Sequence, residues 1–204
     1  LCQDDVPKES QIHDDLETIV QSAQMGVSMV RQLREKAVSK EHRSELLHFD
    51  KEYENWEQTF RGLLPPRISL NKQLTAPNLQ IRVVAHHLFQ VLLNLICNAR
   101  DALLDSPTGE ISIHSCEVNG QLVIEVKDNG PGVPAEAVDR IFEPFFTTRG
   151  EGGSGLGLST CFRLVKEMDA KIELVQSGLT CFRVTLPARS AQKNDPEIRD
   201  KPPH

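Results

Sequence analysis

Downstream of Pro65-Pro66, apolar and polar residues alternate with period two in five segments: Arg67–Leu74, Glu110–Glu117, Gln121–Lys127, Lys171–Gln176 and Thr180–Leu186. Spacing of three and four predicts helices near 85–105, 134–141 and 156–169. These elements do not follow one another as βαβ units, which excludes a regular doubly wound or barrel fold. The expectation is an α+β fold, a two-layer α/β sandwich whose mixed, mostly antiparallel sheet carries its helices on one face. The 204 residues, 39% of them hydrophobic, suffice for one ordinary core plus an added element.

That added element lies upstream. Leu16, Ile19, Ala23, Gly26, Val30, Leu33 and Ala37 keep a 3-4-3-4-3-4 spacing, the seam of a coiled coil. Val20, Val27, Met25 and Met29 widen the stripe to suit a helical bundle. Pro7 and Ser10 precede it as a breaker and an N-cap, which suggests the second arm of a helical hairpin. The chain opens at Leu1, so the first arm is expected to lie on a longer parent. The polar run 38–47 reads as a hinge, and 49–64 as a short helix stopped by Pro65 and Pro66. The expected organisation is a partial helical region at 1–42, a main domain at 43–188 and a linker or tail at 189–204.

Composition removes several function classes. The formal net charge is -6, so the basic surface of a nucleic-acid binder is not expected. No run of about 18 apolar residues or secretory leader occurs, which predicts a cytoplasmic location without membrane contact by this segment. Cys2, Cys97, Cys116, Cys161 and Cys181 are odd in number and never spaced as CxxC, which reads as reduced packing thiols. No carboxylate-and-His spacing marks His86, His87 or His114 as metal ligands.

Three segments carry chemistry. On the helix from His86 to Asp105, Leu88, Leu92, Leu95, Ala99 and Ala102 form a core stripe. Gln90, Asn94, Asn98, Asp101 and Asp105 form a polar face, whose two asparagines are poor helix formers but offer hard oxygen ligands suited to Mg²⁺ with phosphates. A solvated face remains the alternative. Asp128-Asn129-Gly130-Pro131-Gly132 ends a strand and reads either as a hairpin turn or as a carboxylate placed to accept from an exocyclic amine. Phe142, Phe145 and Phe146 then precede Arg149 and five glycines within eight residues, which lead into a helix. A glycine-led helix start presents N–H groups to an anion, and phenylalanines that anchor such a loop to the core would make it a lid.

These residues resemble the GHKL (Bergerat-fold) ATP-binding superfamily, and within it the catalytic domain of bacterial sensor histidine kinases. NLICNARDA at 94–102 is similar to its asparagine box, DNGPG at 128–132 to the first glycine box, FEPFFTT at 142–148 to the phenylalanine box, and GSGLGLS at 153–159 to the second glycine box. The likeness covers Phe89 to Pro187 well and Arg67 to His87 loosely. It implies ATP and Mg²⁺ as ligands, with Asn98 as the metal ligand and Asp128 on the adenine amine. Gly130 and Gly132 would shape the pocket floor, and Gly153, Gly155, Leu156 and Gly157 would offer N–H groups to the phosphates. Asn94, Asp101, Thr147, Arg149 and Thr180 complete the implied nucleotide site. Asp101 stands where many of these kinases have Lys, although Asp is common in the NARDA-type subgroup.

At Asn94 the ATP-hydrolysing branches have a Glu general base, and an amide cannot take a proton from water. The chain therefore resembles a phosphotransferase, which holds ATP for an acceptor. The resemblance further implies transfer of the γ-phosphate to a histidine and then to an aspartate on a response-regulator receiver domain, by a homodimer. His13 mimics the start of the acceptor motif, but only one coiled-coil helix separates it from the main domain. The acceptor is expected upstream of Leu1, so that this chain binds nucleotide without autophosphorylating. Two other classes stay open: a GHKL-fold phosphotransfer or scaffold protein that does not use ATP, and a GHKL serine kinase, which usually lacks the hairpin.

Overall fold

The computed structural model describes residues 44–148, 154–175 and 179–188. The coiled-coil helix, His13, Arg149, Gly153 and the tail lie outside the described residues.

The first described element is strand β1, Glu45–His48, which runs directly into helix α1, Phe49–Gly62. Then come β2 (Ile68–Leu74), β3 (Gln80–Val83), α2 (Ala85–Ala102), β4 (Gly109–Val118), β5 (Gln121–Asp128), a 3₁₀ turn at Ala135–Ala137, α3 (Gly157–Glu167), β6 (Lys171–Leu174) and β7 (Thr180–Pro187). Five strands form one sheet in the order β2-β4-β5-β7-β6, while β1 and β3 make a separate two-stranded sheet. Only β2 and β4 pair in parallel; the other neighbours are antiparallel. The parallel pair needs a crossover, which β3 and α2 supply. The mixed, mostly antiparallel sheet with helices is as expected.

Strand periodicity sorts the two faces. Ile111, Ile113, Ile124, Val126, Phe182 and Val184 are buried and share one core with Leu88, Leu92, Leu95 and Ile96 of α2 and Leu164 and Val165 of α3. On the opposite face one register row crosses the whole sheet: Gln73, His114, Glu125, Arg183 and Glu173. Glu125, 9% exposed, accepts from Arg183 Nε and Nη2 at 2.9 and 2.7 Å and pairs with Lys127 at 2.6 Å. Burial pushes its carboxyl up, but the hydrogen bonds from Lys127 and Arg183 outweigh that and hold it below the usual value of 4.5. A carboxyl lowered in the folded state stabilises above its unfolded value and loses that contribution as pH falls. Acid unfolding monitored by circular dichroism should therefore show Glu125→Gln closing the gap to wild type below about pH 4.5, with the wild type more stable above it. A constant difference at every pH would remove Glu125 from the acid response.

Helix α1 is pinned by polar and aromatic contacts. Asp50 is buried; its Oδ1 accepts from Ser115 Oγ at 2.6 Å on β4 and its Oδ2 from the Ala76 N–H at 2.8 Å. Phe60 stacks on Phe89 of α2 at 5.3 Å between centroids, and Trp56 meets the same ring edge-on at 5.5 Å.

Two expectations are corrected. Residues 45–47 of the predicted hinge form β1 together with His48, because Leu47 is buried while the strand pairs with β3. The helix predicted at 134–141 is a succession of i→i+3 turns, with Ala137, Arg140 and Glu143 N–H groups bonding Pro134, Ala137 and Arg140 carbonyls. Prolines at 131, 134 and 144 confine it, and burial of Ala137 and Ile141 holds the turns on the core.

Candidate functional site

Three stretches distant in sequence converge beside α2. Asp128 is the last residue of β5, paired in register with Thr180, the first residue of β7; both are buried. A turn begins there, and Asp128 Oδ1 accepts from the Gly130 N–H at 2.9 Å, which fixes the carboxylate. Asn129 Oδ1 accepts from the Glu110 N–H at 2.8 Å and holds the same turn to β4. A Cβ on Gly130 would lie 2.7 Å from Asp128 Oδ1 and 3.4 Å from Ala102 Cβ. Glycine is thus required by close approach. At Gly132 it is required by a φ of 85°, with open space around the missing side chain.

Gly157 opens α3 against the amide face of α2. A Cβ there would sit 3.4 Å from Asn98 Oδ1, and Asn94 Nδ2 donates to the Gly157 carbonyl at 3.3 Å. Leu156 at the N-cap makes no side-chain capping bond, so the first-turn N–H groups keep the polarity that attracts an anion. Cys161, one turn on, is fully buried and donates to the Val91 carbonyl at 3.6 Å; burial pushes its thiol up to about 12. It stays a neutral packing group, as the cysteine arithmetic anticipated. Asp101 is half-buried and held by Arg100 of its own helix at 2.6 Å.

The phenylalanines divide. Phe142 packs on Phe162 and Phe182 at 5.6 and 6.4 Å, and Phe146 lies under the Arg140 guanidinium at 4.4 Å. Both meet the core, as predicted. Phe145 does not: the residue is 58% exposed and its φ is 67°. The backbone explains this, because the Phe145 N–H donates to the Gly155 carbonyl at 2.9 Å and a Cβ on Gly155 would lie 2.4 Å from the Phe145 carbonyl carbon. The phenylalanine and glycine segments are clamped back to back at the base of the loop. Thr147 is exposed beyond that clamp.

The predicted set is therefore brought together in part. Asn94, Asn98, Gly155, Leu156 and Gly157 meet at the start of α3, and Asp128, Gly130 and Thr180 meet at the end of the central β5–β7 pair, beside Ala102. The approach of Ala102 to Gly130 and the bond of Cys161 to Val91 have no signal in the sequence. Ala102 lies eight residues from Asn94 on the helix, and its apolar character had assigned it to the core stripe. The arrangement offers an amide oxygen, an uncapped helix start and a buried carboxylate acceptor. Among the described residues no cluster of three His, Cys, Asp or Glu could hold a metal. No described helix is long and apolar enough to cross a membrane.

The model of the "Histidine kinase-, DNA gyrase B-, and HSP90-like ATPase" family matches residues 83–190, more than half of the chain. A putative sensor protein of Shewanella frigidimarina is 43% identical over 111 residues, covering 54% of this chain and 17% of that protein. The two-component sensor PprA of Pseudomonas aeruginosa is 38% identical over 133 residues, covering 62% and 14%. The chain thus spans under a fifth of the length of these relatives. The nucleotide-free catalytic domain of histidine kinase ThkA superposes with a TM-score of 0.59 at 27% identity, over 71% of this chain and 95% of that one. The histidine kinase AdeS of Acinetobacter baumannii, at 22% identity and a TM-score of 0.65 over 92% and 89%, shares the fold. The family model spans more than half of the sequence, and the chain belongs to the histidine kinase-, DNA gyrase B- and HSP90-like ATPase family; the relatives it matches are named as two-component sensors and histidine kinases.

Proposed function

We propose that residues 43–188 bind ATP with Mg²⁺ and present its γ-phosphate to a histidine, for relay to an aspartate on a response-regulator receiver. The observation that carries this is the facing of the Gly157 helix start onto Asn98, with the carboxylate of Asp128 at the end of the central strand β5. The donor set fits Mg²⁺ in one particular way: Asn98 supplies a single neutral oxygen, and phosphate oxygens and water supply the rest. When bound, the ion neutralises phosphate charge during transfer.

The chain's own residues bind and orient. Asp128 and Thr180 take the adenine, Gly130 and Gly132 let the base approach the backbone, and the N–H groups of Gly155, Leu156 and Gly157 hold the phosphates. Asp101, Thr147, Arg149 and Gly153 border the phosphates from the helix and the lid. No Glu occupies position 94 to activate water, so phosphoryl transfer to a protein acceptor is favoured over hydrolysis. Residues 1–42 serve homodimerisation, and 189–204 act as a linker. The setting is the cytoplasm. The ThkA histidine kinase has been crystallised with the response regulator protein TrrA, which supports the receiver as a partner.

Calorimetric titration with a non-hydrolysable ATP analogue, with and without Mg²⁺, tests the reading. Binding strengthened by Mg²⁺ is the expected result; a folded chain that takes up no nucleotide would turn the assignment toward a scaffold. Gly130→Ala should lower affinity about tenfold while the chain stays folded, because its Cβ pushes the Asp128 carboxylate off the Gly130 N–H. Titration of that variant, beside its far-ultraviolet spectrum, decides the matter; affinity within twofold of wild type would contradict it.

A further inference from the structure

From the hydrogen bonds around Asn94 we infer that it acts as a clasp between α2 and α3, and that Gln90 is a positioning residue of the phosphate-binding turn. The inference rests on the nucleotide reading above.

Both ends of the Asn94 amide have protein partners. Gln90 Nε2, one helical turn earlier, donates to Asn94 Oδ1 at 3.3 Å, and Asn94 Nδ2 donates to the Gly157 carbonyl at 3.3 Å. The order of donors fixes the orientation: Gly157 offers a carbonyl there, so only the Nδ2 end can face it. Gln90, by giving its N–H to Oδ1, favours the same orientation. The buried Cys161 thiol, one turn further along α3, donates to the Val91 carbonyl. Two contacts, Asn94 to Gly157 and Cys161 to Val91, thus tie the first turns of α3 to one stretch of α2.

Asn98 stands one turn further on, with its Oδ1 3.4 Å from where a Cβ on Gly157 would lie. Along one helix, Asn98 is the ligand position and Asn94 the strut. A helix start binds an anion well only where its N–H groups converge, and the Gly157 carbonyl is the one point of that turn to which α2 bonds through Asn94.

The test compares Gln90→Met and Gln90→Glu with wild type and with Asn98→Ala, by titration of a non-hydrolysable ATP analogue with and without Mg²⁺. Gln90→Met keeps the length and removes the donor. Gln90→Glu also sets a carboxylate against Asn94 Oδ1 and drives the amide to turn over, so its carbonyl would face that of Gly157. Affinity should fall about threefold in the first and about tenfold in the second, by the same factor in the presence and absence of Mg²⁺. Asn98→Ala should instead remove the Mg²⁺-dependent gain. Melting temperature is recorded for each; should Gln90→Glu unfold, the Gln90→Met ratio decides. Gln90 variants that bind like wild type overturn the clasp and leave the nucleotide site standing. A loss seen only with Mg²⁺ overturns it too, since Asn94 would then belong to the metal shell. A wild-type chain that binds no nucleotide overturns the site and the clasp together.

Discussion

Asp128→Asn is expected to weaken binding of a non-hydrolysable ATP analogue about 100-fold, or ~3 kcal/mol, with the melting temperature little changed. Residue 128 is 4% exposed and its Oδ1 is taken by the Gly130 N–H. Asparagine can keep that bond only by placing its own Oδ1 there, which turns the NH₂ toward the ligand. A donor then meets the exocyclic amine of adenine, itself a donor. Guanine carries a carbonyl at the same ring position, so the variant should also lose its preference for ATP over GTP analogues. Titration of both nucleotides on both proteins reads the two effects. Affinity for the ATP analogue within threefold of wild type would remove Asp128 from base recognition.

Gly155→Ala is expected to cost about 2–4 kcal/mol of stability and to disorder the loop base. Two effects add. The φ of 63° is unfavourable for any residue with a Cβ, and that Cβ would fall 2.4–2.7 Å from backbone atoms of Phe145. Backbone cannot rotate away as a flexible side chain can. The Phe145 N–H bond to the Gly155 carbonyl would break, and Phe145 would have no reason to keep its own left-handed conformation. Thermal melting together with amide exchange at Phe145 checks this; a melting temperature unchanged by the substitution would show that the clamp is not structural.

Most of this architecture was legible in the amino-acid order because its signals are local. The five strands of the main sheet alternate along their own length, and the core stripe of α2 repeats within its own turns. β1 and β3 were not legible: Glu45–His48 continues a run that reads as polar, and both strands exist through pairing of Glu45 with Val83 and its neighbours across nearly forty residues. The same division holds at the site. Asp128 with Gly130, and Gln90 with Asn94, are short-range pairs that spacing reveals. The contacts of Asn94 with Gly157, of Gly155 with Phe145 and of Gly130 with Ala102 depend on how α2, the loop and the turn after β5 are docked. The exposure of Phe145 follows from such a contact, since composition alone assigns every phenylalanine to the interior.

The direct passage from β1 into α1 gives the domain a stiff mechanical input. A pull or twist delivered at residue 44 loads the β1–β3 ladder in shear, and α1 begins at the next residue after the strand. That helix is hooked to β4 through Asp50 and bears on α2 through Trp56, Phe60 and Phe89. Strain entering there would reach the helix bearing Asn94 and Asn98 as a displacement of a braced lever, with little slack to absorb it on the way.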